Sequence, residues 1–188
     1  MKKVLVSIFS LAIVLSFGHL ATAQAAAGSL GDQLIQAAKN GDAAAVQQLL
    51  AQGANIEASD SDMGETPLIK AVARGHLEAA KLLLEKGAVV NDVDDRGMTP
   101  LMNAAYDDSM DVAALLLEKG ANIDAKDELG QTALIFAAIM GKTEVVKLLL
   151  GKGANIEAKD NEGRTALTRA TDMGNTEVVK LLQAKGAY

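Results

Sequence analysis

Residues 130–162 read GQTALIFAAIMGKTEVVKLLLGKGANIEAKDNE, and the same thirty-three-residue pattern returns on both sides of them. Residues 97–129 read GMTPLMNAAYDDSMDVAALLLEKGANIDAKDEL, and residues 64–96 read GETPLIKAVARGHLEAAKLLLEKGAVVNDVDDR. A shortened copy starts at Gly163 and runs to Tyr188, and a worn one occupies about residues 31–63. Self-similarity at a fixed period of this length marks supersecondary units that bury their apolar faces by stacking on one another.

Each copy has the same internal order. Thr99-Pro100-Leu101 offers a hydroxyl to cap a helix start and a proline at the first helical position, where its missing N–H costs nothing. The short first helix is predicted to end at Gly75, Gly141 and Gly174, where a left-handed backbone closes the last turn. Asp108 stands there in the third copy, and aspartate tolerates that conformation better than most residues. A second helix opens on an acid (Glu78, Asp111, Glu144 or Glu177) and closes on Lys86, Lys119, Lys152 or Lys185, so charge complements the helix dipole at both ends. The stretch that follows, GANIDAKD in the third copy, lacks helical periodicity and reads as an extended finger returning to the next threonine.

This pattern resembles the ankyrin repeat family. G-x-T-[PA]-L occurs four times, followed by Ala71, Ala104, Ala137 and Ala170, and the resemblance covers about residues 31–188. The family's signature histidine is missing; Ile69, Met102, Ile135 and Thr168 stand in its place, so the hydrogen bonds it usually makes must be replaced or lost. The resemblance implies an all-α repeat solenoid of five stacked helix-turn-helix repeats with extended, β-hairpin-like fingers. The repeats fall at about 31–63, 64–96, 97–129, 130–162 and 163–188.

Ahead of them, Met1-Lys2-Lys3 is positive, residues 4–17 are apolar, and Ala21-Thr22-Ala23 is a small-residue cleavage pattern before Gln24. Residues 1–23 therefore read as a secretory signal peptide, and 24–30 as a disordered leader. The competing reading is an uncleaved anchor, but the apolar run is shorter than the roughly 20 residues that a spanning helix needs. Cleavage removes Lys2 and Lys3 and takes the formal net charge from −6 to −8. With no cysteine there is neither a disulfide framework nor a lipoprotein thiol. A periplasmic location is expected, and the acidity argues against nucleic acid or an anionic membrane surface as partner.

The second helices also show how the array should stack. Gln48 is in register with Leu82, Leu115, Leu148 and Leu181, whereas Gln183 is in register with Leu84, Leu117 and Leu150. Residues two apart on a helix point about 200° apart, so the first leucine is expected to face the preceding repeat and the third the following one. Polar outer faces on the terminal units are what a solenoid requires, and the array is expected to be complete at five repeats and monomeric. One spacing breaks the period: Gly53 to Gly64 is eleven residues against ten for Gly87 to Gly97, so the first finger carries an extra residue. Its Asp60-Ser61-Asp62 and the Asp92-Val93-Asp94 run fail as calcium loops, since Ala71 and Asn103 stand where the twelfth-position glutamate belongs. Solvated finger tips are the expected reading.

No catalytic constellation can be named. His76 is the only histidine beyond the leader and is expected to pack in a turn, cysteine is absent, and no glycine-rich phosphate loop exists. No enzyme, cofactor or metal site is expected. The resemblance implies instead that a partner protein is bound by the concave face and the finger tips. Phe136 aligns with Lys70, Asn103 and Arg169; Ile139 with Ala73, Tyr106 and Asp172; Met140 with Arg74, Asp107 and Met173. If positions that carry charge in sister copies are exposed, Met98, Tyr106, Leu129, Phe136, Ile139, Met140 and Met173 form an apolar patch, flanked by Asp95, Arg96, Glu128 and Glu162 on the fingers. The alternative is that Phe136 and Ile139 fold back on neighbouring helices. The expected function is an exported interaction module for another exported protein. The rivals are an envelope structural or toxin-neutralising protein and a small-ligand-binding or catalytic one.

Overall fold

The structure is a computed structural model that describes residues 28–187; residues 1–27, including the Ala23–Gln24 junction, and Tyr188 lie outside the described residues, and within the expected 24–30 leader Ser29 caps the first helix and Leu30 opens it. The described chain forms ten helices that follow one another in pairs: α1 (Leu30–Lys39) and α2 (Ala43–Ala51), α3 (Pro67–Val72) and α4 (Leu77–Glu85), α5 (Pro100–Asp107) and α6 (Met110–Glu118), α7 (Ala133–Ile139) and α8 (Thr143–Gly151), α9 (Ala166–Asp172) and α10 (Thr176–Ala184). First helices pack on first helices and second on second, which gives two helical layers along one axis.

The threonines start the first helices as their spacing predicts. Thr66, Thr99, Thr132 and Thr165 accept the N–H of Ile69, Met102, Ile135 and Thr168 at 3.3–3.5 Å. The residues standing where the family has histidine divide by chemistry. Ile69, Met102 and Ile135 are fully buried, and Met102 Sδ accepts the Thr99 N–H at 3.4 Å. Each first helix from α3 onward ends in a left-handed residue, with φ of 67–73° at Gly75, Asp108, Gly141 and Gly174. Asp108 is the only non-glycine residue among those described with positive φ.

The residue after that turn begins the second helix, yet from α4 onward its side chain caps nothing in its own helix. At two of the four turns it reaches back one repeat instead. His76 Nε2 lies 3.1 Å from the Lys39 carbonyl, which can only accept, so that nitrogen carries the proton. Asn175 Nδ2 donates to the carbonyls of Ala138 and Ile139 at 2.8 Å. Orphan carbonyls at the end of one helix are thus satisfied by the next repeat.

The core runs between the layers. Leu83, Leu116, Leu149 and Leu182 are fully buried, and Ala71, Ala104, Ala137 and Ala170 let the first helices approach closely. Gln48 and Gln183, in register with half-buried leucines elsewhere, are exposed.

The fingers differ from the hairpin-like expectation: no β-strand occurs among the described residues. One backbone bond joins the two arms of each finger, Asp94 N–H to Met98 C=O at 3.2 Å, Asp127 to Gln131 at 3.1 Å and Asp160 to Arg164 at 3.0 Å, and one turn bond closes the tip, from the N–H of Gly97, Gly130 and Gly163 back to the same aspartates' carbonyls. One more joins neighbouring tips, from Asp95 to Met63, from Glu128 to Arg96 and from Asn161 to Leu129. A strand ladder needs consecutive pairs, which these isolated bonds do not supply. In the first finger the closing bond spans Asp60 to Glu65, and the extra residue is absorbed inside that loop.

Candidate functional site

Finger construction decides what the candidate face looks like. Asp94, Asp127 and Asp160 each turn Oδ1 onto two backbone N–H groups, two and four residues ahead, at 2.7–3.0 Å. Asp60 does the same at three and five residues, as its longer loop requires. These carboxylates hold the loop shape. The expectation of solvated finger acids therefore fails for Asp94 and Asp160, which are only 4% and 6% exposed.

The other carboxylate oxygen faces a cation in three of the four fingers. Asp60 Oδ2 lies 2.7 Å from Lys70 Nζ, which also bonds Glu65. Asp94 Oδ2 takes Arg96 at 2.7 Å. Asp160 Oδ2 takes both Arg164 at 3.2 Å and Arg169 at 3.0 Å. Burial pushes the Asp60 carboxyl up, but the Lys70 ammonium and the N–H groups of Met63 and Glu65 outweigh it and bring its pKa from 3.8 down to about 2. Lys70 is shifted upward, its burial being outweighed by Asp60 and Glu65. Asp160 is likewise lowered, burial being outweighed by the Arg164 and Glu162 N–H groups and the Arg164 side chain.

A depressed carboxyl stabilises the fold above its unfolded pKa and loses that contribution as pH falls through the folded value. For Asp60 the window runs from about pH 4 to about pH 2 and is worth on the order of 2 kcal/mol. Urea unfolding followed across that window is expected to lose about this much more stability in the unaltered chain than in Asp60→Asn. Parallel curves would remove Asp60 from the acid response.

These pairs overturn the premise that charge in a sister copy means exposure. Lys70 and Arg169, aligned with Phe136, have side chains only 17% and 14% exposed because they lie under their fingers, and Asn103 is buried, donating to the Thr99 carbonyl at 3.1 Å. Phe136 is accordingly half-buried against the core, as is Ile139, and Met98 is buried at 8%. Tyr106, Leu129, Met140 and Met173 are exposed at 51%, 62%, 38% and 53%. Asp95, Arg96, Glu128 and Glu162 are exposed on the fingers.

The expected single patch divides in two. Met98, Leu129 and Phe136 come together with Arg96, Asp127, Glu128 and Gln131 around an open cleft of about 330 Å³. Tyr106, Ile139, Met140 and Met173 sit at the far ends of their first helices, away from that cleft. Asp127 and Gln131 were not among the expected site residues, although the internal alignment of Phe136 with Lys70 and Arg169 already marked the place where their finger differs. Exposed Val89 and Val93 on the second finger were also not anticipated.

Among the described residues no cluster of histidine, cysteine and acids could hold a metal. No helix among them is long and apolar enough to cross a membrane. His76 is held by the Lys39 carbonyl in a turn.

Paired helices, fingers and a capping threonine in successive copies define a helical repeat protein whose first helices and fingers display side chains on an open face. A family model for ankyrin repeats (3 copies) matches residues 34–127 and 120–188, and the chain belongs to the ankyrin repeat family. It is 38% identical over 69 residues to human inversin, a match covering 37% of this chain and 6% of inversin. It is 46% identical over 55 residues to mouse 2-5A-dependent ribonuclease, covering 29% of this chain and 8% of that protein. The chain thus spans a small fraction of the curated relatives it matches, and the ribonuclease match runs through ankyrin repeats. Such repeats mediate protein–protein binding and are typically scaffolds rather than catalysts.

Proposed function

We propose that this chain is an exported, non-enzymatic ankyrin module that binds another exported protein through its first-helix face and finger tips. The observation that carries the binding reading is the exposure of Tyr106, Leu129 and Met173 on that side of an interaction fold, where large apolar side chains gain nothing from water. Export rests on the order of charge, apolar run and small residues over 1–23. The periplasm is the proposed compartment.

The test is capture from a periplasmic extract of the native host, with the bound chain identified by mass spectrometry. One exported protein is expected to be enriched, with Tyr106→Ala weakening its binding by about thirtyfold as an interface anchor and leaving the melting temperature almost unchanged. The same preparation should carry Gln24 as its N-terminus. Full-length chain confined to the cytosol would overturn export, and capture unaffected by Tyr106→Ala would remove that face from the interface.

A further inference from the structure

The finger of residues 120–130 is built like its neighbours but lacks their cation. Three positions supply the charge that meets the finger aspartate elsewhere: Lys70 and Arg169 from the first helix, Arg96 from the tip, and Arg164 just beyond it. In the copy around Asp127 those same three positions hold Phe136, Leu129 and Gln131. Asp127 still spends Oδ1 on the N–H groups of Leu129 and Gln131, and no cation of the described residues pairs with it. All four residues line the 330 Å³ cleft, with Glu128 beside them. Arg96 is also on its wall, but its guanidinium is committed to Asp94 at 2.7 Å and 3.1 Å.

The geometry points to this cleft as a receptor for the guanidinium of an arginine presented by a partner protein, which takes the place that Arg169 or Arg164 takes on Asp160. Charge complementarity names the occupant. The chain contains the same recognition three times with the cation built in, and once with the cation left out and an open space in its place. A planar guanidinium suits both walls, since it can hydrogen-bond Asp127 in its plane and stack its face on Phe136. Leu129 and Met98 cover the apolar stem. The chain's net charge of −6 favours a basic partner at longer range. This inference rests on the protein-binding reading above and specifies what the partner must carry.

The probe is N-acetyl-arginine amide, titrated into the isotope-labelled chain and followed by amide chemical shifts, with the citrulline analogue as the uncharged isostere. Saturable shifts confined to the amides around Asp127–Gln131 and Phe136 are expected, with affinity on the order of millimolar for a single side chain. Citrulline should give none, and Asp127→Asn should weaken arginine binding by about tenfold or more. A second variant guards against misfolding: Phe136→Arg restores the internal cation, so it should abolish the response to the probe and melt no earlier than the unaltered chain. Adding Asp127→Asn to it should lower that melting temperature. Equal shifts with citrulline, an unchanged response in Asp127→Asn, or early melting of Phe136→Arg whether or not Asp127 is present would each overturn the proposal. Partner capture that ignores Asp127→Asn would sink the arginine receptor and leave the binding module standing. Arginine binding without any captured partner would do the reverse.

Discussion

Leu149→Ala is expected to cost about 2–5 kcal/mol of folding stability, whereas Gln183→Ala should cost almost nothing. Leu149 is fully buried between the helical layers of α7, α8 and their neighbours, so truncation leaves a cavity that close-packed repeats on both sides prevent from collapsing. Gln183 lies on the exposed side of α10. Denaturant midpoints at constant m-value measure both, and equal small losses would mean that the inner and outer faces of the second helices have been misassigned.

Asp160→Ala is expected to cost about 3 kcal/mol, although the side chain removed is polar. The change strands the N–H groups of Glu162 and Arg164 and leaves Arg164 and Arg169 without their shared carboxylate. Arg169 is largely covered, so water can compensate it only in part. Asp160→Asn separates the two contributions: it retains an oxygen for the backbone donors while removing the charge, and should recover roughly half of the loss. An alanine variant as stable as the unaltered chain would show that the finger keeps its shape without the aspartate.

Much of the scaffold was legible in the sequence because repetition amplifies weak local signals. A single Thr-Pro-Leu, Thr-Ala-Leu or Lys-Gly would be a modest helix boundary, but two copies of each threonine form and four of Lys-Gly, all in register, make each boundary an averaged one. The caps, the left-handed Asp108 and the burial of Leu149 follow from such local rules. The site was less legible for a physical reason. Treating charge as a mark of exposure assumes that water is the only good surrounding for a charge, and the fingers supply another. Lys70 and Arg169 point under an aspartate loop, so the aligned Phe136 is drawn inward rather than displayed. Tyr106 and Met173, at the ends of their first helices, are exposed.

The backward-reaching residues at the turns also set the mechanics of the array. His76 and Asn175 bolt their repeats to the preceding one with hydrogen bonds of 2.8–3.1 Å. At the two central seams the turn residue does less, since Ser109 spends its hydroxyl on Asp107 and Lys142 meets Asp108 only at 3.8 Å, and the fingers supply the fastening instead: Asn91 donates to the Gly120 carbonyl at 3.2 Å, Asp124 accepts the Asn155 N–H at 2.9 Å and Asn161 donates to the Glu128 carbonyl at 2.9 Å. The fastening thus passes from the turns near the ends of the array to the fingers at its middle, so each repeat is held to its neighbour at one level or the other.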